Sequence, residues 1–550
     1  MEDPHLKKLE KFAGRDGPLV LIVTDGIGLG KNNDRNAFYL ANTPFLKKLQ
    51  RICTQTQQFA KLKAHGTAIG LPTDIGMGNC EIGHNIIGAG CVIKQRAFLA
   101  KEAIESKNMF YAKKWFDFTN VIKNYNKTLH IIGLLSDGYV HSHISHLIGL
   151  LHGAITAPIY KIRIHVILDG IDVQPQSALL YIGELERELK RINEKGIFDY
   201  KIASGGGRVR VAMDRYNSDW NLVRKAWEAL VCGIPERFPN YKGYFNSAQS
   251  AITQARIIDP KNSDQFLPLF VIVNENKFPM GKMEDGDGVI FFNFRGEGAV
   301  QISRAFDEGE NFKEFVKKCN PIVQYYGLFQ YDEKLRIPKN YFLDPSRNYY
   351  TISDYLSAEG IRQFAIAETP KYEYLTYYWK GTRDLKINGE DCMEIKSDLS
   401  EKVEEHPEMK AAEVEKALII AIMSNEYKFL RVNFANGDIV GHTGNKVATM
   451  IAAETVDKSV SEIVEVVNKK SGITIVTADH GNIDDMDKFK ASNTLNPVMF
   501  AIVDSGYNKE YVINDEIKEP GLGNIAATIL NLLGYEKPEN YLESLIKFLR

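Results

Sequence analysis

Three aspartates stand where an apolar run gives way to a polar cluster: Asp25 in TDG, Asp438 in NGDIVGH and Asp479 in ADHGN. Two of them come with a histidine. Asp438 and His442 are four residues apart and Asp479 adjoins His480, so each pair can offer an oxygen and a nitrogen to a divalent cation. Taken singly, each pair is better explained as a carboxylate capping a helix beside a histidine that satisfies a loop. The combination is what points to metal. The glycine-dense segment 74–90, DIGMGNCEIGHNIIGAG, adds Asn79 and Cys80. Its glycines permit close backbone approach, and a thiol there could project between two cations as a nucleophile, or simply be buried under a tight turn. Arginines 208, 210 and 215 surround the SGGGRVRVAMDR loop, and Arg295 closes FFNFRG. Guanidinium groups at such strand ends suit bidentate capture of phosphate or carboxylate, with surface ion pairing the competing explanation, most of all for Arg210.

The elements that must position these residues are legible as short β-rich runs: PLVLIVTDG from residue 18, TLHIIGLLSDG from 128, RIHVILDGID from 163, VIFFNFRG from 289, KFLRVNFANGD from 428, ITIVTADHGN from 473 and PVMFAIVDSG from 497. Continuous apolar runs of this kind suggest strands buried on both faces. Segments of helical period lie between them at 177–195, 219–231, 409–424 and 447–469, with helix starts at Thr43-Pro44 and Ser177. The alternation predicts α/β domains around mostly parallel sheets, where function collects at the carboxyl edges of the strands. No glycine- and serine-rich linker marks a boundary. The best candidates are residues 88–95, GAGCVIKQ, and the stretch from 335 that contains Pro338 and Pro345.

With 550 residues, 44% hydrophobic and 25% charged, the chain has the composition of an ordinary globular protein with more than one core. Lysine and arginine total 68 against 70 acidic residues, which leaves no long-range field to recruit nucleic acid or anionic lipid. The six cysteines lack CxxC spacing, which argues against a disulfide framework and a zinc knuckle and favours a reducing compartment. The first 17 residues mix acids and lysines with no apolar segment, so the cytoplasm is the expected location, and no window is apolar enough for membrane insertion.

The order TDGIG, GLPTDIGMGNCEIGHNIIGAG, LLSDGYVHSH, LDGIDVQP, GGGRVRVAMDR, FFNFRG, AETPKY, NFANGDIVGHTG and TADHGN resembles the 2,3-bisphosphoglycerate-independent phosphoglycerate mutases, particularly the long form of plants and trypanosomatids, over nearly the whole chain. The resemblance implies an alkaline-phosphatase-like parallel-sheet domain from residues 1–94 and 346–550, with an inserted α/β phosphotransferase domain at 95–345. It implies the interconversion of 3-phosphoglycerate and 2-phosphoglycerate through a phospho-enzyme on a two-metal site, with manganese, magnesium or cobalt as the ions. Asp25, Asp479 and His480 match ligands of one metal, and Asp438 and His442 two ligands of the other. His141, Asp172, Arg208, Arg215, Arg295 and Lys371 match substrate-domain or bridging contacts, with Asp172 in the position of the acid/base. Members of the family are usually monomeric.

Four positions depart from the family pattern. Its nucleophilic serine is Cys80, its third histidine ligand of one metal is Asn493 in NTLNPV, the arginine of its DGRDV motif is Ile171, and the second arginine of its FRxDR motif is Gly298. No realignment supplies the missing imidazole, because His480 is the last histidine in the chain. These replacements lead to the expectation of a mutase-like protein with weak or lost activity, kept as a structural or binding subunit of an assembly. The alternative is an active, divergent mutase with Cys80 as nucleophile. A sulfatase-type formylglycine enzyme is disfavoured, because that maturation resembles a C-x-P-x-R signal and Cys80 is followed by Glu81-Ile82-Gly83-His84.

Overall fold

The structure, a computed structural model, describes residues 4–211, 213, 219–345, 349–398, 402–486 and 492–549. The chain forms two compact units, one from residues 1–95 with 346–550 and one from 96–345.

The strands of the two seven-stranded sheets, in chain order, are β1 (Leu19–Thr24), β2 (Phe59–Leu62), β3 (Leu129–Leu135), β4 (Lys161–Leu168), β5 (Asp199–Gly207), β6 (Tyr244–Phe245), β7 (Phe270–Ile272), β8 (Gly288–Phe291), β9 (Gln324–Gly327), β10 (Gln363–Glu368), β11 (Glu390–Ile395), β12 (Phe429–Phe434), β13 (Ile473–Thr477) and β14 (Val498–Asp504). In the first unit they pair in the order β11-β10-β12-β1-β13-β14-β2. The five strands from β11 to β13 are parallel, while β14 runs antiparallel to both of its neighbours. β1 shows why the centre is stable. Its side chains alternate between two apolar layers, Leu19, Leu21 and Val23 on one face and Val20 and Ile22 on the other, and all are buried. The helices Pro44–Gln55, Ala411–Met423 and Lys446–Lys469 cover the second face.

The second unit has its own seven-stranded sheet, ordered β6-β7-β5-β4-β3-β8-β9, in which only the β5–β7 pair is antiparallel. It too is covered on both faces: Ile131 and Leu135 of β3 enter one core, Ile132 and Leu134 the other. Helices Ala178–Asn193 and Trp220–Leu230 lie within the segments of helical period. The cysteine reading needs correction here. Cys232 and Cys319, 87 residues apart, have Cα atoms 5.8 Å apart and are disulfide-bonded. Spacing along the sequence carried no sign of this pairing, because the fold brings the end of helix Trp220–Leu230 beside the segment before β9.

A candidate metal centre and a candidate anion cluster

In the first unit four adjacent parallel strands, β10, β12, β1 and β13, deliver chemistry-bearing residues from the same edge. Lys371 follows β10, Asp438 follows β12, Asp25 follows β1, and Asp479 and His480 follow β13. The β1 turn can press against the Asp438 loop because Gly26 has φ +77°, and a Cβ on it would lie 2.7 Å from the Asp438 amide nitrogen. Cys80 is the first residue of helix Cys80–Ala89, whose N-terminus is capped by the Asn79 side chain accepting from the Ile82 amide.

These residues converge. Lys371 Nζ donates to Cys80 Sγ at 2.8 Å and to Asp438 Oδ2 at 2.6 Å, and lies 3.1 Å from Asp25 Oδ2. Cys80 Sγ is 3.1 Å from His480 Nε2 and 3.6 Å from Asp25 Oδ1. His442 Nε2 lies 3.2 Å from Asp438 Oδ1, although the His442 side chain is 45% exposed. Ligand atoms of Asp25, Cys80, Asp438 and His480 all fall within 4.8 Å of one another, as do those of Asp25, His84 and Asp479.

His84 was not marked by the motifs, yet its place four residues after Cys80 puts it on the same helix face. Its Nδ1 lies 2.9 Å from the Cys80 carbonyl and 3.3 Å from Asp479 Oδ2, and its Nε2 is 3.1 Å from Asn433 Nδ2. Asn433 in turn donates to Asp25 Oδ2 at 2.8 Å. A ring held between two of the acids orients them as outer partners of metal ligands do.

Burial dominates the electrostatics of this cluster. It pushes the Cys80 thiol well above its ordinary value, helped by Asp25 and opposed by Lys371. It raises Asp25 to about 6, with Asp479 adding to the effect. For Lys371 burial opposes the charge, but Asp25 and Cys80 overcome it and hold the ammonium well above its usual range. Asp438 is held well below the carboxylate range against its burial, first by Lys371. His480 is raised against its burial by Asp479 and Asp438.

The ligand atoms of Asp25, Cys80, Asp438 and His480 form one set suited to a divalent cation, and those of Asp25, His84 and Asp479 a second. Among the described residues, Asp479 Oδ1 is a buried carboxylate oxygen with no hydrogen-bond partner, an arrangement that a cation relieves. The set around Asp438 and His442 is poorer. Asn493 Nδ2 donates to the Gly78 carbonyl at 2.8 Å and its Oδ1 accepts from Asn482 Nδ2 at 3.3 Å, so both ends of the amide are engaged. Asn482 also donates to Asp438 Oδ1 at 3.2 Å.

In the second unit the ends of β5, β4, β3 and β8 bring together a different group. Arg208 Nη1 donates to Asp172 Oδ2 at 2.6 Å and to Asp169 Oδ1 at 2.9 Å, and Nη2 donates to His141 Nε2 at 2.8 Å. Asp169 was not singled out by its motif. It also accepts from Ser136 Oγ at 2.6 Å and so ties the ends of β3 and β4. Burial raises the Asp172 carboxyl, Asp169 adds to this, and Arg208 and Arg295 oppose it. Arg295 lies 2.8 Å from Glu297 Oε2. Ile171 is 56% exposed, and Gly298 has φ +74°, a conformation in which a Cβ would come within 2.9 Å of the Met213 Cα. Arg210 follows the ion-pairing alternative, with Nη1 3.6 Å from Glu236 Oε1 and Nε donating to the Phe266 carbonyl. Arg215 lies outside the described residues.

Acids, histidines and a thiol at the carboxyl edge of a parallel sheet are the donor types of a metal centre, and the metalloenzyme superfamily model matches residues 17–537. The 2,3-bisphosphoglycerate-independent phosphoglycerate mutase of Trypanosoma brucei brucei is 39% identical over 96% of this chain and 97% of its own, and that of Ricinus communis is 39% identical over 96% of each. A crystal structure of Leishmania mexicana phosphoglycerate mutase at low cobalt concentration matches with a TM-score of 0.76 and 38% identity, covering 99% of this chain and 100% of that one. The chain belongs to the 2,3-bisphosphoglycerate-independent phosphoglycerate mutase family, and its α/β fold, one parallel-sheet unit inserted in another, is that of the family.

Proposed function

We propose that this protein is a phosphoglycerate mutase-like member in which interconversion of 3-phosphoglycerate and 2-phosphoglycerate is weak or absent, retained as a binding or structural subunit of an assembly. The observation that carries this reading is Asn493. The side chain standing for the third ligand beside Asp438 and His442 is an amide engaged by Gly78 and Asn482 rather than an imidazole. A neutral amide is a weak ligand for a transition-metal ion. The second unit supports the same conclusion. Among the described residues, Arg208 lies between Asp169 and Asp172 and Arg295 beside Glu297, and Ile171 and Gly298 offer no charge.

In this reading Asp25, Cys80, Asp479 and His480 hold one divalent ion, of which manganese, magnesium and cobalt are the candidates, and Asp438 with His442 hold a second weakly. Bound there, such ions would neutralise the transferring phosphoryl oxygens and lower the Cys80 thiol pKa. Lys371 places a fixed positive charge beside Cys80 and Asp438, and Asp172, raised by burial, is suited to accept and return a hydroxyl proton.

One observation favours the alternative of an active enzyme: the Cys80 thiol is held at the N-terminus of its helix with Lys371 Nζ and His480 Nε2 within 3.1 Å. An enolase-coupled assay separates the readings, since turnover at ordinary mutase rates in manganese, magnesium or cobalt sinks the first. Phosphoglycerate is the partner if the protein turns over, and a protein partner recovered by pull-down is expected if it does not. Among the described residues no helix is long and apolar enough to cross a membrane. The proposal places the protein in the cytoplasm. Cell fractionation checks this, together with the thiol status of Cys232 and Cys319 in the isolated protein.

A further inference from the structure

Cys232 and Cys319 are held very differently. Cys232 follows helix Trp220–Leu230 by two residues, is 7% exposed, and sits in an apolar core with Val223, Trp227 and Met283. Cys319 is only partly buried and lies on residues 312–323, between Asn311 and the start of β9, which enter neither helix nor strand. Among the described residues, positions 313–321 make no backbone–backbone hydrogen bond. Side chains hold the stretch instead. Phe312 meets Trp220 edge-on with ring centroids 5.6 Å apart, Lys318 Nζ donates to Glu228 Oε2 at 2.8 Å, and Trp227 Nε1 donates to the Cys319 carbonyl at 2.9 Å. Val316, in its middle, is 88% exposed. Backbone without a hydrogen-bond ladder opens at low free energy, so the covalent tie to Cys232 carries much of the order of this stretch.

We propose that the Cys232–Cys319 bond is a thiol–disulfide exchange site, with Cys319 the sulfur attacked and a low-molecular-weight thiol of the glutathione class as its partner. Access decides which sulfur reacts, and Cys319, partly exposed on a stretch without a backbone ladder, is open to a nucleophile that the packed Cys232 is not. The small thiolate forms a bond to Cys319 Sγ as the bond to Cys232 breaks. The electron pair leaves on Cys232 Sγ, which takes a proton from water. A second small thiolate then attacks the small-molecule sulfur of the adduct and releases Cys319 as a thiolate. Two small thiols are thereby oxidised to one disulfide while the protein's disulfide is reduced to two thiols, and the reverse sequence re-forms the bond. Each reduction removes the covalent tie between residues 312–323 and the end of helix Trp220–Leu230. In the reducing compartment proposed above, a bond of this kind cycles rather than persists.

The inference does not rest on the mutase reading, and its test uses neither metal nor phosphoglycerate. The full-length protein, purified in air without reductant, is incubated at neutral pH with reduced glutathione, quenched in acid, and mapped by peptide mass spectrometry. The expected course is a Cys232–Cys319 bond at the start, a glutathione adduct on Cys319 beside a free Cys232 thiol, and two free thiols at the end. With glutathione disulfide, Cys232→Ser should take up the adduct at Cys319, and Cys319→Ser should take up none at Cys232. If either variant does not fold, the position of the adduct in the parent decides. A second readout is limited trypsin digestion, which should cut after Lys313, Lys317 or Lys318 about tenfold or more faster in the reduced protein than in the oxidised one. Two free thiols in the air-purified protein, a bond that reacts only after denaturation, an adduct on Cys232, or equal cleavage in the two states would each overturn the proposal.

Discussion

Replacing Asn493 with histidine restores the imidazole that the family pattern places beside Asp438 and His442, and the structure sets the size of both consequences. The amide makes two hydrogen bonds, to the Gly78 carbonyl at 2.8 Å and from Asn482 at 3.3 Å. Losing both costs about 2 kcal/mol in the metal-free protein, at roughly 1 kcal/mol each. Against this, an added ligand should tighten the weaker metal site by at least the ~100-fold that an outer-shell partner can contribute, or about 2.7 kcal/mol. Asn493→His should therefore melt below the parent after chelation and at or above it in excess manganese. The assay is calorimetric titration of chelated protein with manganese, paired with thermal scans. The parent should take up one tight equivalent and the variant two. Two tight equivalents in the parent, or one in both, would refute the reasoning about Asn493.

The second unit should lose stability in mild acid. Burial lowers His165 well below its ordinary value and His146 to about 3, and it lowers His130 despite Asp287. The folded state keeps these rings neutral while the unfolded chain protonates them near pH 6.5. Stability is then complete above about pH 6.5 and falls below it, by about 1.4 kcal/mol per pH unit per histidine. Urea unfolding followed through Trp115, Trp220 and Trp227 checks this, and a midpoint constant from pH 7 to 5 contradicts it. Arg431, fully buried, donates to Glu390 Oε1 at 2.7 Å and to the Leu375 carbonyl. Arg431→Met removes the closest partner of that carboxylate and should cost about 3–5 kcal/mol by denaturant titration, whereas a loss under 1 kcal/mol would mean that Lys380, whose Nζ lies 3.5 Å from Glu390 Oε2, compensates. Glu297→Ala frees Arg295 from its 2.8 Å ion pair and should tighten 3-phosphoglycerate binding about tenfold by calorimetry. Unchanged affinity would show that Arg295 does not meet the ligand.

The strands that carry Asp25, Asp438 and Asp479 were legible because each is a continuous apolar run buried on both faces, and such runs end at a common edge when parallel. β10 was harder to see, since QFAIAE holds only four apolar residues, two of them alanine, between polar ends, so Lys371 is reached only through resemblance to the family. Antiparallel β14 carries the same apolar signature as its parallel neighbours, because direction leaves no mark on composition. His84 had a usable signal in its i+4 spacing from Cys80, but Asn433 and Asp169 did not, because their partners come from other strands. The Cys232–Cys319 bond closes a separation of 87 residues and depends on the completed fold.

The central claim is that a centre with an amide at position 493 and a second unit lacking charge at positions 171 and 298 does not turn over phosphoglycerate efficiently. The direct measurement is the enolase-coupled rate of the purified full-length protein with 3-phosphoglycerate, in saturating manganese, magnesium and cobalt in turn. A rate several orders of magnitude below ordinary mutase turnover in all three is predicted, and ordinary turnover in any one of them contradicts the account.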